Sequence, residues 1–231
     1  MEIKFKILFV LFIFPIIAQC KNYKYEVSIF GIHCADIFIN YSDTIYNDKK
    51  SIKIDYRTQT KSIYEKFFFV KNDYTTIIDK ANYDILSYTK NTSQPKLENK
   101  ITTFLKNDSL FYLNNNKWFN TNYLNIFSLL HYLQMNKLKS RLKPLDFIER
   151  EGNIYNMIID YYEIENRIKY ILSLKINEEL SNEPVYKKTD IFTWGIFLPN
   201  AQNEIIINTT KNEIASCKFS VGLINVTAKL K

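Results

Sequence analysis

Glycine, proline, cysteine and histidine are all scarce: four, five, three and two respectively in 231 residues. Four glycines so widely separated cannot build a Gly-x-Gly-x-x-Gly turn or a P-loop, so phosphate cradling by backbone amides is excluded. No Gly-x-Ser-x-Gly elbow is present, which removes the usual serine-hydrolase arrangement. Zinc and copper sites draw on three or four His, Cys or carboxylate ligands. His33 and His131 stand alone, about a hundred positions apart, so neither a metal site nor any other cofactor is expected. His33 adjoins Cys34, yet neighbours on a strand point to opposite faces, which makes a poor catalytic pair. His131 reads as a helix-edge or core histidine. Charge of one sign is also thin: the net is +7, with Lys and Arg scattered among Asp and Glu. That pattern solvates a surface and gives no footprint for nucleic acid.

What the chain has first is an apolar start. Lys4 and Lys6 precede an uncharged run from Ile7 to Ala18, too short to span a bilayer comfortably but suited to a signal-peptide core. Residues 1–18 are read as a signal peptide cut after Ala18, with 19–231 as one β-rich domain. Cys20 keeps a competing reading open, because a lipoprotein signal ends just before the cysteine that takes the lipid, although Gln19 sits where Gly, Ala or Ser is usual. Membrane association is expected only if Cys20 carries that lipid. The destination on either reading is outside the cytoplasm, in the periplasm or cell envelope. Past this start no apolar stretch approaches the ~20 residues of a spanning helix.

Turns fall to Asn and Asp, which tolerate left-handed backbone: Asn47-Asp48, Asn72-Asp73, Asn107-Asp108 and Asn114-Asn115-Asn116. Between the breaks the hydrophobic period is two. Tyr23, Tyr25, Val27 and Ile29, then Ala35, Ile37, Ile39 and Tyr41, make two half-buried strands on either side of Gly31. Further strands are expected at 52–56, 63–70, 74–79, 83–90, 100–105, 109–113, 153–160, 167–176, 187–192, 203–209, 213–221 and 223–230, with a bulge at Gly222. One segment departs from this rhythm. In 125–137 the residues Ile126, Leu129, Leu130 and Leu133 keep i, i+3, i+4, i+7 spacing, an amphipathic helix with Asn122 or Asn125 as N-cap, stopped before Pro144. The fold class is all-β with one helix: an antiparallel curved sheet, barrel or half-barrel packed by that helix.

Carboxylates are the only plentiful acid/base groups. Asp160, Glu163 and Glu165 cluster near a turn, and a hydrolase would need two of them facing one cleft; a solvated strand end is the ordinary reading. Cys34 and Cys217 pair as a disulfide if the first and last strands lie close together, or stay as two thiols. Tyr and Phe number seventeen each, beside Trp118 and Trp194. Such a load either fills a packed core or lines a space for an apolar ligand. The side chains that would line that space are Phe67, Phe69, Ile126, Leu130, Leu133 and Trp194.

The order of features resembles a family of exported bacterial proteins of unknown function, domain of unknown function 3108. The residues that carry the resemblance are Tyr25-x-Val27-x-Ile29-x-Gly31-Ile32, Phe69-Val70-x-x-x-Tyr74-x-x-x-Ile78-Asp79, Phe127-Ser128-x-x-x-Tyr132, and an Ile191-Phe192-Thr193-Trp194 strand followed by Pro199 and two final strands. The resemblance implies an envelope β protein of barrel-like or strongly curved shape, with no established activity and no catalytic residues. A non-enzymatic envelope protein holding a lipid or other apolar molecule between sheet and helix is the leading expectation. A structural module pairing with an envelope protein partner through a strand edge is the second, and a carboxylate hydrolase the third.

Overall fold

The structure, a computed structural model, describes residues 20–107, 109–113, 117–120, 123–136, 145–181 and 183–231. The expected signal segment lies outside them. Fourteen strands form one antiparallel sheet: β1 (Lys21–Ile29), β2 (Ile32–Tyr46), β3 (Lys49–Thr60), β4 (Lys71–Asp79), β5 (Ile85–Gln94), β6 (Leu97–Lys106), β7 (Ser109–Tyr112), β8 (Lys117–Asn120), β9 (Phe147–Arg150), β10 (Asn153–Ile164), β11 (Arg167–Ile176), β12 (Gln202–Asn208), β13 (Glu213–Val221) and β14 (Ile224–Leu230). Strands adjacent in the chain pair with one another, with one interruption between β8 and β9, which are the two edge strands. The two halves are joined by β1 pairing with β14. The sheet curls but does not close.

Helix α1 (Ile126–Met135) lies between the two edges in sequence, and a parallel bridge from Leu124 to Ile148 ties its approach to β9. Asn125 is the N-cap: its side chain accepts from the Ser128 amide and the Ser128 hydroxyl accepts from the Asn125 amide, a reciprocal box that satisfies two first-turn donors. The amphipathic expectation needs correction. Every residue from Ile126 to Gln134 is buried, so the helix is enclosed on all sides by the curled sheet instead of lying across one face. Two polar side chains at its ends are held: Gln134 donates to the Asn212 carbonyl and the N-cap Asn125 to Thr76.

Period-two alternation places one parity inward. Ile37, Ile39 and Tyr41 on β2, Ile54 and Tyr56 on β3, and Tyr74 and Ile78 on β4 meet the helix in one continuous core. Four expected elements differ, the first being the Asn72-Asp73 turn, which lies inside β4. Residues 63–70 hold no strand; a single 3-10 turn at Ser62–Tyr64 and an irregular loop stand there. Gly222 is no bulge but the first residue of a two-residue hairpin, at φ +55 with Val221 opposite Ile224. The Ile191–Trp194 segment, and with it the end of the 187–192 strand, belongs to a short helix, α2 (Ile191–Ile196), because Asp190 caps it by accepting from the Thr193 amide.

His131 illustrates the cost of this enclosure. Its ring packs on Tyr41 at 4.7 Å between centroids and neither nitrogen has a partner among the described residues. Burial, helped by Lys21, pushes its pKa down to about 4. The unfolded chain therefore takes a proton there that the folded one refuses, and stability is lost as pH falls from about 6.5 toward 4. Glu149 acts in the opposite sense. Burial raises its carboxyl to about 7 against bonds from the Gly152 amide and Tyr112, so its penalty fades as pH falls. The two offset each other in the native protein. His131→Phe is expected to match the native protein near pH 7 and to exceed it by about 2 kcal/mol at pH 4.5, read from urea midpoints; equal midpoints at both pH values would refute this linkage.

Candidate functional site

An apolar cavity of about 390 Å³ lies inside the curl, between α1 and the inner faces of the two sheet halves around the β1–β14 seam. Ile37 and Ile39 of β2, Tyr56 of β3 and Ile205 of β12 form its wall, and Ile126 and Leu130 face it from the helix. It opens at one end of the sheet, where Phe30, Phe68, Phe192, Trp194 and Ile224 stand around it. A space of this size and lining falls within the range of small-molecule sites. Polar residues among its lining include Thr58, Asn203, Cys34 and Cys217. Thr58 Oγ1 and Asn203 Oδ1 are buried without a hydrogen-bond partner among the described residues, while Asn203 Nδ2 donates to the Ile196 carbonyl at 3.0 Å. Burial pushes the Cys217 thiol up to about 12, which makes it inert as a nucleophile.

Of the six side chains read from sequence as lining, Ile126, Leu130 and Trp194 border this cavity. Phe67 does not; it is 88% exposed at the rim. Phe69 is half-buried outside the lining, where its neighbours Phe68 and Val70 stand instead. Leu133 is buried one turn further along α1, beside a separate recess with Ile168 and Ile207. The Cys34–Cys217 disulfide is corrected too. Both cysteines are free thiols, and β1 and β14 lie between their strands. Three interstrand steps put them roughly 14 Å apart along the sheet, well beyond disulfide reach. Cys20 is exposed at the start of β1, at the end opposite the cavity mouth.

The carboxylates also fall elsewhere than expected. Asp160, Glu163 and Glu165 are exposed on the β10–β11 hairpin; Glu165 alone of the three borders the open recess formed there with Arg167 and Lys211, so no two of them share it. The acids that do meet are Glu151 and Asp190, both on Lys90. Lys90 Nζ lies 2.6 Å from Glu151 Oε1, 2.7 Å from Asp190 Oδ2 and 2.8 Å from Thr189 Oγ1, with no exposed surface. Tyr74 donates to Asp190 Oδ1 at 2.7 Å and the Thr193 hydroxyl to Oδ2 at 2.6 Å. Burial alone would raise the Asp190 carboxyl; Lys90 and the Thr193 bonds more than offset it and hold it below the ordinary aspartate value. This closed ionic knot fastens the segment before α2 to β5, and so positions Phe192 and Trp194 over the cavity.

One solved structure has a similar fold. The crystal structure of a β-barrel-like protein of domain of unknown function DUF1849 from Brucella abortus aligns with 91% of this chain and 95% of its own, with a TM-score of 0.50 and 7% identity. The chain shares the fold of a β-barrel-like protein of unknown function. At that identity the likeness carries architecture alone. No family model matches the chain, and no curated protein matches it. The resemblance to domain of unknown function 3108 thus stands on its quoted residues, three of whose four segments fall on β1, β4 and α1 while the fourth is helical instead of extended.

Proposed function

We propose that this is an exported, non-enzymatic envelope protein, related to the domain of unknown function 3108 proteins, that holds the hydrocarbon part of a lipid or similar amphiphile in the cavity between sheet and helix. The observation that carries this reading is the cavity itself: about 390 Å³, almost wholly apolar, and open at one end. Empty space of that size in a core forfeits dispersion contacts on every side, which a fold rarely sustains without a use. Thr58 Oγ1 and Asn203 Oδ1 support an occupant that also carries a hydrogen-bond donor, because buried polar atoms are ordinarily paired. A strand-edge partner is less well supported, since the edge strands β8 and β9 are only four residues each.

Titration with a fluorescent long-chain fatty acid tests the reading. Ala35 is a small buried residue of the cavity wall. Ala35→Trp is expected to weaken probe binding about 100-fold while the far-ultraviolet spectrum stays that of a sheet, because the added ring takes the room of the bound chain. Ala228→Phe on β14 fills the same space from the other side of the seam and serves if Ala35→Trp disturbs folding. Unchanged affinity in both folded variants would reject the cavity as the site.

A further inference from the structure

The two ends of the sheet are built differently. At the end away from the cavity mouth, hairpins turn on Asn47-Asp48 and Glu165-Asn166, polar residues that take positive φ readily or sit well in water, and the exposed apolar residues there, Ile45 and Ile164, stand on the strands and not at the turn itself. At the mouth end the β1–β2 hairpin turns on Phe30-Gly31, with Phe30 at φ +51. That conformation suits Asn or Gly and is costly for phenylalanine. Phe30 gains no burial in return, being 67% exposed. The β13–β14 hairpin carries Leu223, 92% exposed, and the loop joining β3 to β4 carries Ile63 and Phe67, 71% and 88% exposed.

These tips are neighbours. The Phe30 amide donates to the Asn225 carbonyl, and the Lys61 amide to the Cys34 carbonyl, which sets the three turns side by side around the cavity mouth. Each turn presents its own protruding apolar side chains: Phe30 with Ile32, Ile63 with Phe67, and Leu223 with Ile224. Lys61 and Lys66 flank Ile63 and Phe67, with Glu65 as the opposing charge. The acidic stretch Glu178, Glu179 and Glu183 lies in the loop on the far side of the mouth.

We propose that the tips Phe30, Phe67 and Leu223 enter the surface of a phospholipid bilayer, tilting the β1–β4 and β13–β14 side of the molecule onto the membrane so that the cavity mouth opens against it. Separate apolar fingers suit a fluid interface that closes around each of them, and the adjacent lysines suit anionic headgroups. The cargo assigned to the cavity rests on the reading above; the docking does not. It is tested by co-sedimentation of the purified protein with vesicles of phosphatidylethanolamine and phosphatidylglycerol, in a Cys20→Ser background so that no lipid on that residue does the binding. The triple variant Ile63→Ser, Phe67→Ser, Leu223→Asn, none of whose residues lines the cavity, is expected to lose about 100-fold in vesicle affinity and to keep its affinity for the soluble fatty-acid probe. Vesicles of phosphatidylcholine alone are expected to bind the parent protein more weakly, by the lysine contribution. Failure of the parent protein to sediment with anionic vesicles, or equal sedimentation of the triple variant, overturns the docking. Vesicle binding that depends on the tips in a protein that takes up no probe sustains the docking and removes the cavity reading instead.

Discussion

Lys90→Met is expected to destabilise the protein by about 3–5 kcal/mol, because it leaves two carboxylates buried without their cation. Glu151 and Asp190 both sit within 2.7 Å of Lys90 Nζ, and none of the three is solvated. In a protein of this size the loss corresponds to a melting temperature lower by roughly 10 °C or more. Calorimetry of Lys90→Met against the triple variant Lys90→Met, Glu151→Gln, Asp190→Asn separates two readings. If the knot matters by pairing charge, the triple variant recovers much of the loss. A single variant within about 1 kcal/mol of the native protein would show that water or protonation relieves the acids, and the knot would then not be what holds the loop before α2. Probe binding should weaken in Lys90→Met as well, since Asp190 caps the helix that carries Phe192 and Trp194.

Phe127→Ala is the second large effect. Phe127 is 1% exposed on α1, with its ring 4.7 Å from Tyr74, 4.8 Å from Tyr56, and 6.3 Å from both Tyr88 and Phe192. Truncation removes a large apolar surface and leaves a void that four rings on three strands and α2 cannot close together, a cost of about 3–5 kcal/mol. Phe127→Leu keeps most of the volume and is expected to lose less than half as much. Chemical denaturation of both variants checks the order; equal midpoints would mean that the cage collapses freely onto the gap.

The strands were legible because their inner parity is apolar over long stretches, as in Ala35, Ile37, Ile39 and Tyr41. The helix was legible from the spacing of Ile126, Leu129, Leu130 and Leu133, but its full enclosure was not, since the polar members Ser128, His131 and Gln134 look like an exposed face until the sheet around them is known. The run Phe67-Phe68-Phe69-Val70 misled by composition: aromatic and β-branched residues favour strands, yet four apolar side chains in a row carry no alternation to fix a face. The Lys90 knot left one unused signal. Lys90 shares its parity with Tyr88 on β5, the inward set, where a lysine is out of place unless it meets acids. Which acids it meets depends on pairings 61 and 100 positions away, and those follow only from the completed sheet.

The pairing of the first strand with the last has a consequence for biogenesis. The Tyr25 hydroxyl finds its acceptor, the Ile214 carbonyl, 189 positions further along the chain, and β1 has no outer neighbour until β14 exists. A polypeptide made from its amino end therefore carries β1, already paired with β2, with its other edge open until β14 is made, and the cavity acquires its second wall only with β12 to β14. Loss of the seven residues of β14 alone would divide the sheet into two unjoined pieces, so a strand that contributes few core side chains decides whether the two halves meet.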